Sequence, residues 1–170
     1  MTSVAGAPRP VSYDDVETKH LAFLITAARD RMQDDLPAVG ASLGLRLGAG
    51  PLDGLRASHL RLLSLIPRDG ARLTDLVDVA RMTKQGLGQF MDDLQDIGYI
   101  TSSQDPVDRR TRIIVRTTRG DDAVDATNRV YALLEERWAA HVGARRWATF
   151  RSVLMELALT PPASAEAATP

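Results

Sequence analysis

The densest group of chemically active side chains in this sequence is a run of arginines. Five of them fall within eleven residues that contain no acid, at positions Arg109, Arg110, Arg112, Arg116 and Arg119. Guanidinium groups pair well with phosphate oxygens, so a hairpin that projects these charges could neutralise a nucleic-acid backbone. Asp108, directly before the run, could orient one guanidinium through a bidentate pair. The alternative is a solvated strand edge, whose charges only prevent aggregation.

A second polar group lies upstream, on a helix predicted over residues 84–97. Its apolar residues recur at helical spacing and are assigned to the core: Leu87, Phe90, Met91, Leu94 and Ile97. The opposite face carries Lys84, Gln85, Gly88, Gln89 and Asp92. Glutamine can pair with adenine, and lysine can reach guanine or phosphate, so this face suits readout in the major groove. Arg81 and the Thr83 hydroxyl are candidate phosphate ligands. An ordinary solvated face is the alternative.

Gly86 and Gly88 interrupt this helix, and each costs about 1 kcal/mol relative to alanine. Close approach of the helix backbone to DNA would account for the cost. Tolerated sequence drift would account for it equally, and the sequence leaves both explanations open.

The elements that would position these residues follow from hydrophobic period and chain breakers. Helices are predicted over residues 56–66, 75–80 and 84–97, with Thr74 and Thr83 as N-caps of the last two and Gly98 ending the third. Strands are predicted over residues 99–103 and 112–117, on either side of a turn that begins at Asp105. The order is that of a helix-turn-helix followed by a two-stranded hairpin.

Long amphipathic helices are predicted on both sides of this core. The first spans residues 13–35, with Ser12 as N-cap and Pro37 helping to end it, before a loose glycine-rich connection over residues 38–54. Two more span residues 118–141 and 145–159, the former opened by a capping box from Thr118 to Asp121. Their apolar stripes can be buried only in a bundle, and a second copy of the chain is the expected partner. Residues 1–11 and 161–170 are predicted to be disordered tails.

Several motifs in this order resemble the MarR family of winged helix-turn-helix transcriptional regulators. The most specific is the wing motif Asp105-Pro106-Val107-Asp108-Arg109-Arg110. The resemblance covers about residues 55–160 and also includes Leu73 to Leu76, Met82 to Gln85, Leu94 to Ile100 and Thr117 to Gly120. It implies a mainly α fold with a two-stranded wing, a DNA-binding lobe over residues 55–118, and a helical dimerisation region over residues 12–36 and 119–160.

The resemblance further implies a homodimer that places one recognition helix per subunit in successive major grooves of a pseudo-palindromic operator, with repression as the expected effect. Thr83, Lys84, Gln85 and Gln89 would face the groove, and Asp108 would hold Arg110 as the wing arginine. The candidate DNA-binding residues are Arg81, Thr83, Lys84, Gln85, Gly88, Gln89, Asp108, Arg109, Arg110 and Arg112.

Many MarR relatives respond to small aromatic or phenolic anions bound between the dimerisation helices and the DNA-binding lobe. The candidate residues for such an effector here are His20, Arg56 and His59, which interrupt apolar helical faces. A surface histidine or a satisfied core histidine is the alternative for each. The glycine-rich stretch over residues 38–54 is long for the connection between the first two helices, and this departure from the family bears on the shape of the pocket.

Composition narrows the remaining classes of function. The 170 residues include no cysteine, which excludes disulfides, thiolate catalysis and Cys-ligated metals. The three histidines lack metal-ligand spacing, and no nucleophile elbow, P-loop or dinucleotide fingerprint occurs, so no enzyme, cofactor or metal is expected. No apolar run could span a membrane and residues 1–12 lack a signal-peptide stretch, so the cytoplasm is expected. A winged helix that contacts only other proteins is the alternative function.

Overall fold

A computed structural model of the protein describes residues 20–106 and 108–160. Within them the chain forms α1 (Leu21–Ser42), α2 (Ala57–Leu65), α3 (Leu73–Ala80), α4 (Lys84–Asp96), α5 (Thr118–Val142) and α6 (Ala144–Leu159), with a 3-10 turn at Gly50–Leu52. The strands are β1 (Ala71–Arg72), β2 (Ile100–Gln104) and β3 (Arg112–Arg116). The predicted tails, and the predicted start of the first helix at Ser12, lie outside the described residues. None of the described helices is long and apolar enough to cross a membrane.

Helices α2 to α4 and the three strands pack around one core and form the winged-helix lobe. The predicted inner face of α4 is confirmed, since Leu87, Met91 and Leu94 are fully buried while Phe90 and Ile97 are partly buried. Further residues of this core are Leu62, Leu63, Ile66, Leu76, Tyr99, Ile100, Ile114, Ala123 and Ala126. The start of α5 belongs to the same core, so the lobe is joined rigidly to the long helices.

The sheet has the order β1-β3-β2, with both pairings antiparallel. The predicted hairpin of β2 and β3 is confirmed, and β1 adds a third strand that the sequence did not reveal. A two-residue strand is too short to produce a period-two signal. Because Arg72 is extended and pairs with Ile113, α3 begins at Leu73 with Arg72 as its N-cap. The prediction that Thr74 caps this helix is therefore wrong.

Helix α1 continues through Pro37 to Ser42, so the prediction that this proline helps to end the helix is wrong. A proline inside a helix removes one backbone hydrogen bond and strains the preceding turn. Packing on both sides of the proline offsets this cost: Leu36 precedes it, and the buried Val39 packs with Val130 and Leu134 of α5. The connection to α2 therefore begins at Leu43, five residues later than predicted.

Helix α5 begins at Thr118, and its N-cap is Thr117 rather than the predicted Thr118. The Thr117 hydroxyl accepts a hydrogen bond from the Gly120 N–H at 3.2 Å and donates one to the Gly98 carbonyl at 2.8 Å. Gly120 is buried against the Tyr99 carbonyl, and a Cβ at this position would overlap that oxygen. This cap therefore fixes α5 to the end of α4.

The predicted apolar stripe of α5 is confirmed at Val124, Thr127 and Leu134, whereas Tyr131 is exposed. Trp138 is half-buried, and its indole Nε1–H donates to the Asp35 carboxylate at 3.0 Å, which links α5 to α1. The hydrogen bond from Trp138 is the largest cause that lowers the pKa of Asp35, and the hydrogen bond from Arg31 is the second. The rings of Trp138 and Trp147 lie edge to face at 5.9 Å across the turn between α5 and α6.

Candidate nucleic-acid interface

The first turns of α4 present an exposed polar face whose side chains are not used by the fold. Lys84, Gln85 and Gln89 are exposed, and their side chains form no hydrogen bond or ion pair with the described residues. The Thr83 hydroxyl caps the helix by accepting from the Gly86 N–H at 3.1 Å, which leaves its own proton available to a phosphate. The face predicted for base readout is therefore unobstructed.

Arg81 occupies the turn between α3 and α4 in an unfavourable backbone conformation. Its φ of 53° and ψ of 48° are left-handed, and it is the one non-glycine residue with positive φ in the described part of the chain. This conformation costs an ordinary residue roughly 1–2 kcal/mol. The guanidinium of Arg61 donates to the neighbouring Ala80 carbonyl at 3.0 Å and so helps to hold the turn. The Arg81 side chain is exposed beside the start of α4.

The turn between β2 and β3 is organised by Asp105, the first residue of the wing motif, whose buried carboxylate has a role that the sequence did not reveal. Its Oδ2 accepts from Arg72 Nε at 2.6 Å, and the Asp108 N–H donates to its Oδ1 at 3.4 Å. Backbone bonds from Asp105 N–H to the Thr111 carbonyl and from Thr111 N–H to the Asp108 carbonyl, both 2.9 Å, close the loop. These bonds anchor Asp105 to β1 and tie it to Asp108 and Thr111 across the turn.

Asp108 shapes the same turn through the backbone. Its Oδ1 accepts from the Arg110 N–H at 3.0 Å, and its Oδ2 accepts from the Thr111 hydroxyl at 3.2 Å. Within residues 20–106 and 108–160, no arginine guanidinium pairs with Asp108, so the predicted bidentate contact is wrong. A short acid at the start of a turn bonds more readily to the N–H two residues on than to a long side chain. Arg109 and Arg110 are both exposed, and no described acid pairs with either guanidinium.

The other three arginines of the run are engaged by the fold. Arg112 pairs with Asp92 of α4 at 2.8 Å and donates to the Ser102 hydroxyl at 2.9 Å. The largely buried side chain of Arg116 pairs with Asp121 at 2.8 Å.

Arg119 lies over the Tyr99 ring, 4.3 Å from its centroid, and donates to the Ile97 carbonyl at 2.8 Å. The expectation that the hairpin projects all five charges is therefore wrong. Two arginines project from the wing tip. Of the other three, Arg112 joins the wing to α4, Arg116 joins it to α5, and Arg119 joins α5 to the end of α4.

Arg56 and His59, two of the candidate effector residues, lie together beneath α4. His59 is 3% exposed, and its Nε2 lies 2.9 Å from the Arg56 guanidinium, which also pairs with Asp93 at 3.2 Å. The Phe90 ring meets the imidazole edge-on at 5.7 Å. Burial of the imidazole, and secondly the charge of Arg56, lowers the pKa of His59, so the ring is neutral near pH 7.

His20, the third candidate effector residue, has a separate role. Its Nδ1 accepts from the Phe23 N–H at 3.2 Å, so it is the N-cap of α1, and its side chain is exposed. Across residues 20–106 and 108–160, no cluster of three or more His, Asp or Glu side chains could hold a metal ion.

An open groove of about 1150 Å³ runs between α5 and α6, and Tyr131, Trp147 and Met155 are among its lining residues. Helix α6, described along its whole length, has no buried residue. Large apolar side chains are exposed along it and at the start of α1: Leu21, Leu24, Ile25, Phe150, Val153, Leu154, Met155, Leu157 and Leu159.

The fold is shared with solved structures of MarR-family regulators. The reduced form of MarR from E. coli superposes with a TM-score of 0.65 at 19% identity, over 84% of this chain and 98% of that one. The transcriptional repressor CouR, bound to a 23-mer DNA duplex, gives 0.60 at 22% identity over 82% and 92%. Streptococcus pneumoniae FabT in complex with DNA gives 0.62 at 13% identity over 79% and 92%. No family model and no curated protein matches the sequence. The structural matches confirm the winged helix-turn-helix fold that the sequence resemblance implies.

Proposed function

We propose that this chain is a MarR-type transcriptional regulator that binds DNA as a homodimer, with residues 55–118 as the DNA-binding lobe. The proposal rests on the observation that one lobe presents two exposed surfaces whose side chains the fold does not use. The first turns of α4 present Lys84, Gln85 and Gln89, and the wing tip presents Arg109 and Arg110. A helix for the major groove and an arginine-bearing hairpin for the adjacent backbone or minor groove are complementary halves of one DNA contact.

Two arginines that pair with acids of α4 support this role indirectly. Helix α4 carries three acids in its second half, Asp92, Asp93 and Asp96, and each would repel phosphates. Arg112 pairs with Asp92, and Arg56 pairs with Asp93. Two of the three negative charges in this part of α4 are thus compensated, which reduces the charge that opposes Lys84 and the wing arginines at DNA.

The dimer is proposed from the apolar surface that one chain leaves uncovered. Side chains such as Leu24, Phe150 and Leu154 are 46%, 52% and 43% exposed, beyond the scattered apolar residues of ordinary surfaces. We assign residues 12–36 and 119–160 to the dimer interface, in which a second copy covers these faces. Such a dimer would bind two half-sites of a pseudo-palindromic operator. A cytoplasmic location, where an operator is accessible, belongs to the same proposal.

We further propose that the protein represses transcription and that a small aromatic or phenolic anion relieves this repression. Arg56 is the residue best suited to an anion, since its guanidinium is exposed and already pairs with Asp93. A carboxylate or phenolate at Arg56 would compete with Asp93 and so act directly on α4. His59, neutral and buried beside it, would offer an imidazole nitrogen to the same ligand. His20 remains a candidate effector residue in this proposal only because it lies at the start of α1.

The test of DNA binding is fluorescence anisotropy with duplexes from the DNA flanking the coding sequence, against a scrambled duplex, at several salt concentrations. Tight, sequence-selective binding that weakens steeply with salt is the expected result. Adding benzoate-type and phenolic compounds to the bound complex tests the effector, which should lower DNA affinity and raise the melting temperature. Absence of any salt-dependent binding would contradict the regulator and favour a winged helix used for protein contacts.

Sedimentation of the wild-type chain and of its Leu154→Asp variant tests whether the protein forms this dimer. A charge in an apolar interface should dissociate the dimer. Leu47→Asp is the matched control, because Leu47 is 53% exposed in the connection after α1, outside the assigned interface. A monomeric wild-type chain, or equal sedimentation of all three proteins, would contradict the interface.

A further inference from the structure

Gly88 lies within the polar face of α4, one turn after Lys84 and three residues after Gln85. Glycine is, after proline, the least favourable residue in the interior of a helix, so its presence there calls for a reason. Its φ is not positive, and a Cβ built on it would meet no atom within 4 Å. Neither backbone conformation nor packing in this protein therefore requires glycine at this position.

Gly86, two residues earlier, differs in this respect. A Cβ at Gly86 would lie 3.2 Å from Thr83 Oγ1, the atom that caps the helix by accepting from the Gly86 N–H. A side chain there would be tight against the cap, and the Thr83 hydroxyl would have to shift by a few tenths of an ångström. The two glycines that the sequence presents as equivalent thus have different surroundings: Gly86 lies against the helix cap, and Gly88 faces open space.

We infer that Gly88 determines base specificity in the proposed DNA contact, by letting the backbone of α4 lie against a base edge in the major groove. The inference rests on the proposed function. A side chain at this position would stand between the helix and the groove floor, in the space that the structure leaves open beside Lys84 and Gln85. Base edges in the major groove differ in shape, since thymine carries a methyl group that cytosine lacks. A bare backbone can pack against a shape that a Cβ would exclude.

The variant that tests this inference is Gly88→Ala, whose effects on stability and on binding should have opposite signs. Its melting temperature should rise by about 2–4 °C, because alanine favours the helix and the added methyl is unobstructed. Its affinity for the duplex selected by the wild-type protein should fall roughly a hundredfold, the scale of one mismatched base pair in each of the two half-sites. The loss should be confined to one base-pair position in each half-site.

The experiment uses the full chain and a pool of randomised duplexes, from which wild type, Gly88→Ala and Gly86→Ala each select their preferred sequences. Anisotropy titrations then measure all three proteins on each selected duplex and on a scrambled one, and thermal melts at one protein concentration measure stability. Gly86→Ala is the matched control, since it adds the same methyl to the same helix. It should raise the melting temperature by less than Gly88→Ala does, because its methyl is tight against the cap, and it should select the same base sequence as wild type.

The outcomes separate this inference from the function on which it rests. If the wild-type protein enriches no motif, the proposed function fails and the role of Gly88 falls with it. If wild type enriches a motif that Gly88→Ala also selects and binds equally well, the regulator stands and the role of Gly88 is wrong. Equal weakening on selected and scrambled duplexes would indicate a backbone contact and would overturn the base-edge role. A lower melting temperature for Gly88→Ala would overturn the structural premise.

Discussion

Arg112 and Asp92 form an ion pair of 2.8 Å that joins strand β3 to helix α4. These are the two elements proposed to contact DNA, so the pair fixes the spacing between the wing and the recognition helix. Both side chains are partly exposed, and such a pair contributes about 1 kcal/mol or less to stability. The main effect of this pair is on the orientation of β3 relative to α4, and on the charge that Arg112 and Asp92 present to DNA.

The first prediction compares Arg109 with Arg112, because one guanidinium is free and the other is already paired. Arg109→Ala should reduce the slope of log affinity against log salt by about two, since the dimer loses one phosphate contact in each subunit. Arg112→Ala should reduce it by less, because Asp92 compensates this charge. Anisotropy titrations at four or more salt concentrations give the slopes. Identical slope changes in the two variants would show that the ion pair does not persist on DNA.

The second prediction concerns the wing tip, where Arg110 is exposed and its turn is held by Asp108. Arg110→Ala should weaken binding to the selected duplex by about 1–3 kcal/mol without changing the sedimentation of the dimer. Arg46→Ala, which removes an exposed charge from the connection after α1, is the control and should bind as wild type does. Unchanged affinity of Arg110→Ala would remove the wing from the mechanism.

The third prediction uses the left-handed backbone of Arg81. Arg81→Gly should stabilise the protein by about 1 kcal/mol, because glycine adopts this conformation without strain. It should also weaken binding to all duplexes alike, as expected for a phosphate contact. Urea unfolding and anisotropy measure the two effects. Arg81→Ala separates them, since it loses the guanidinium but keeps the strain, and should therefore weaken binding without stabilising the fold.

The fourth prediction is a pH dependence of stability that arises from His59, which faces Arg56 from α2 and Asp93 and Phe90 from α4. Its pKa in the folded chain is lowered, while the unfolded value is about 6.5. Between these two values the unfolded chain binds the proton more tightly, so stability falls as pH decreases. The contribution of neutral His59 is fully present above about pH 6.5 and is lost as pH falls through the lowered folded-state pKa.

Urea unfolding of wild type and of His59→Gln between pH 8 and pH 5 measures this effect. Glutamine does not titrate, so the wild-type protein should lose more stability than the variant across the acidic half of that range. The carboxylates elsewhere titrate equally in both proteins, so their contributions cancel when the stability of the variant is subtracted from that of wild type. Parallel curves would show that the protonation of His59 is not linked to folding.

The features that could be predicted from the sequence are those with local causes. Helix α4 was predicted closely because its apolar residues repeat with helical spacing, Thr83 caps its start and Gly98 follows its end. The hairpin was predicted because β-branched runs flank a turn. These signals act within a few residues, and tertiary contacts reinforce them.

The features that were missed depend on partners distant in sequence. Asp105 reaches Arg72, 33 residues away, and Arg119 reaches the Tyr99 ring, so neither role follows from a count of charges. The continuation of α1 past Pro37 likewise depends on Val39 meeting α5. The sequence around a charged residue or a proline indicates its local structural preference. It does not identify the distant neighbour whose contact overrides that preference.

The chain has two tryptophans, and both lie in the helical region, with their rings edge to face between α5 and α6. The winged-helix lobe contains none. Intrinsic indole emission is therefore an optical reporter of the α1, α5 and α6 junction and is blind to the surface proposed to meet DNA. A change in emission colour or yield on adding a duplex would report a rearrangement that had travelled along α5, without a label on either molecule.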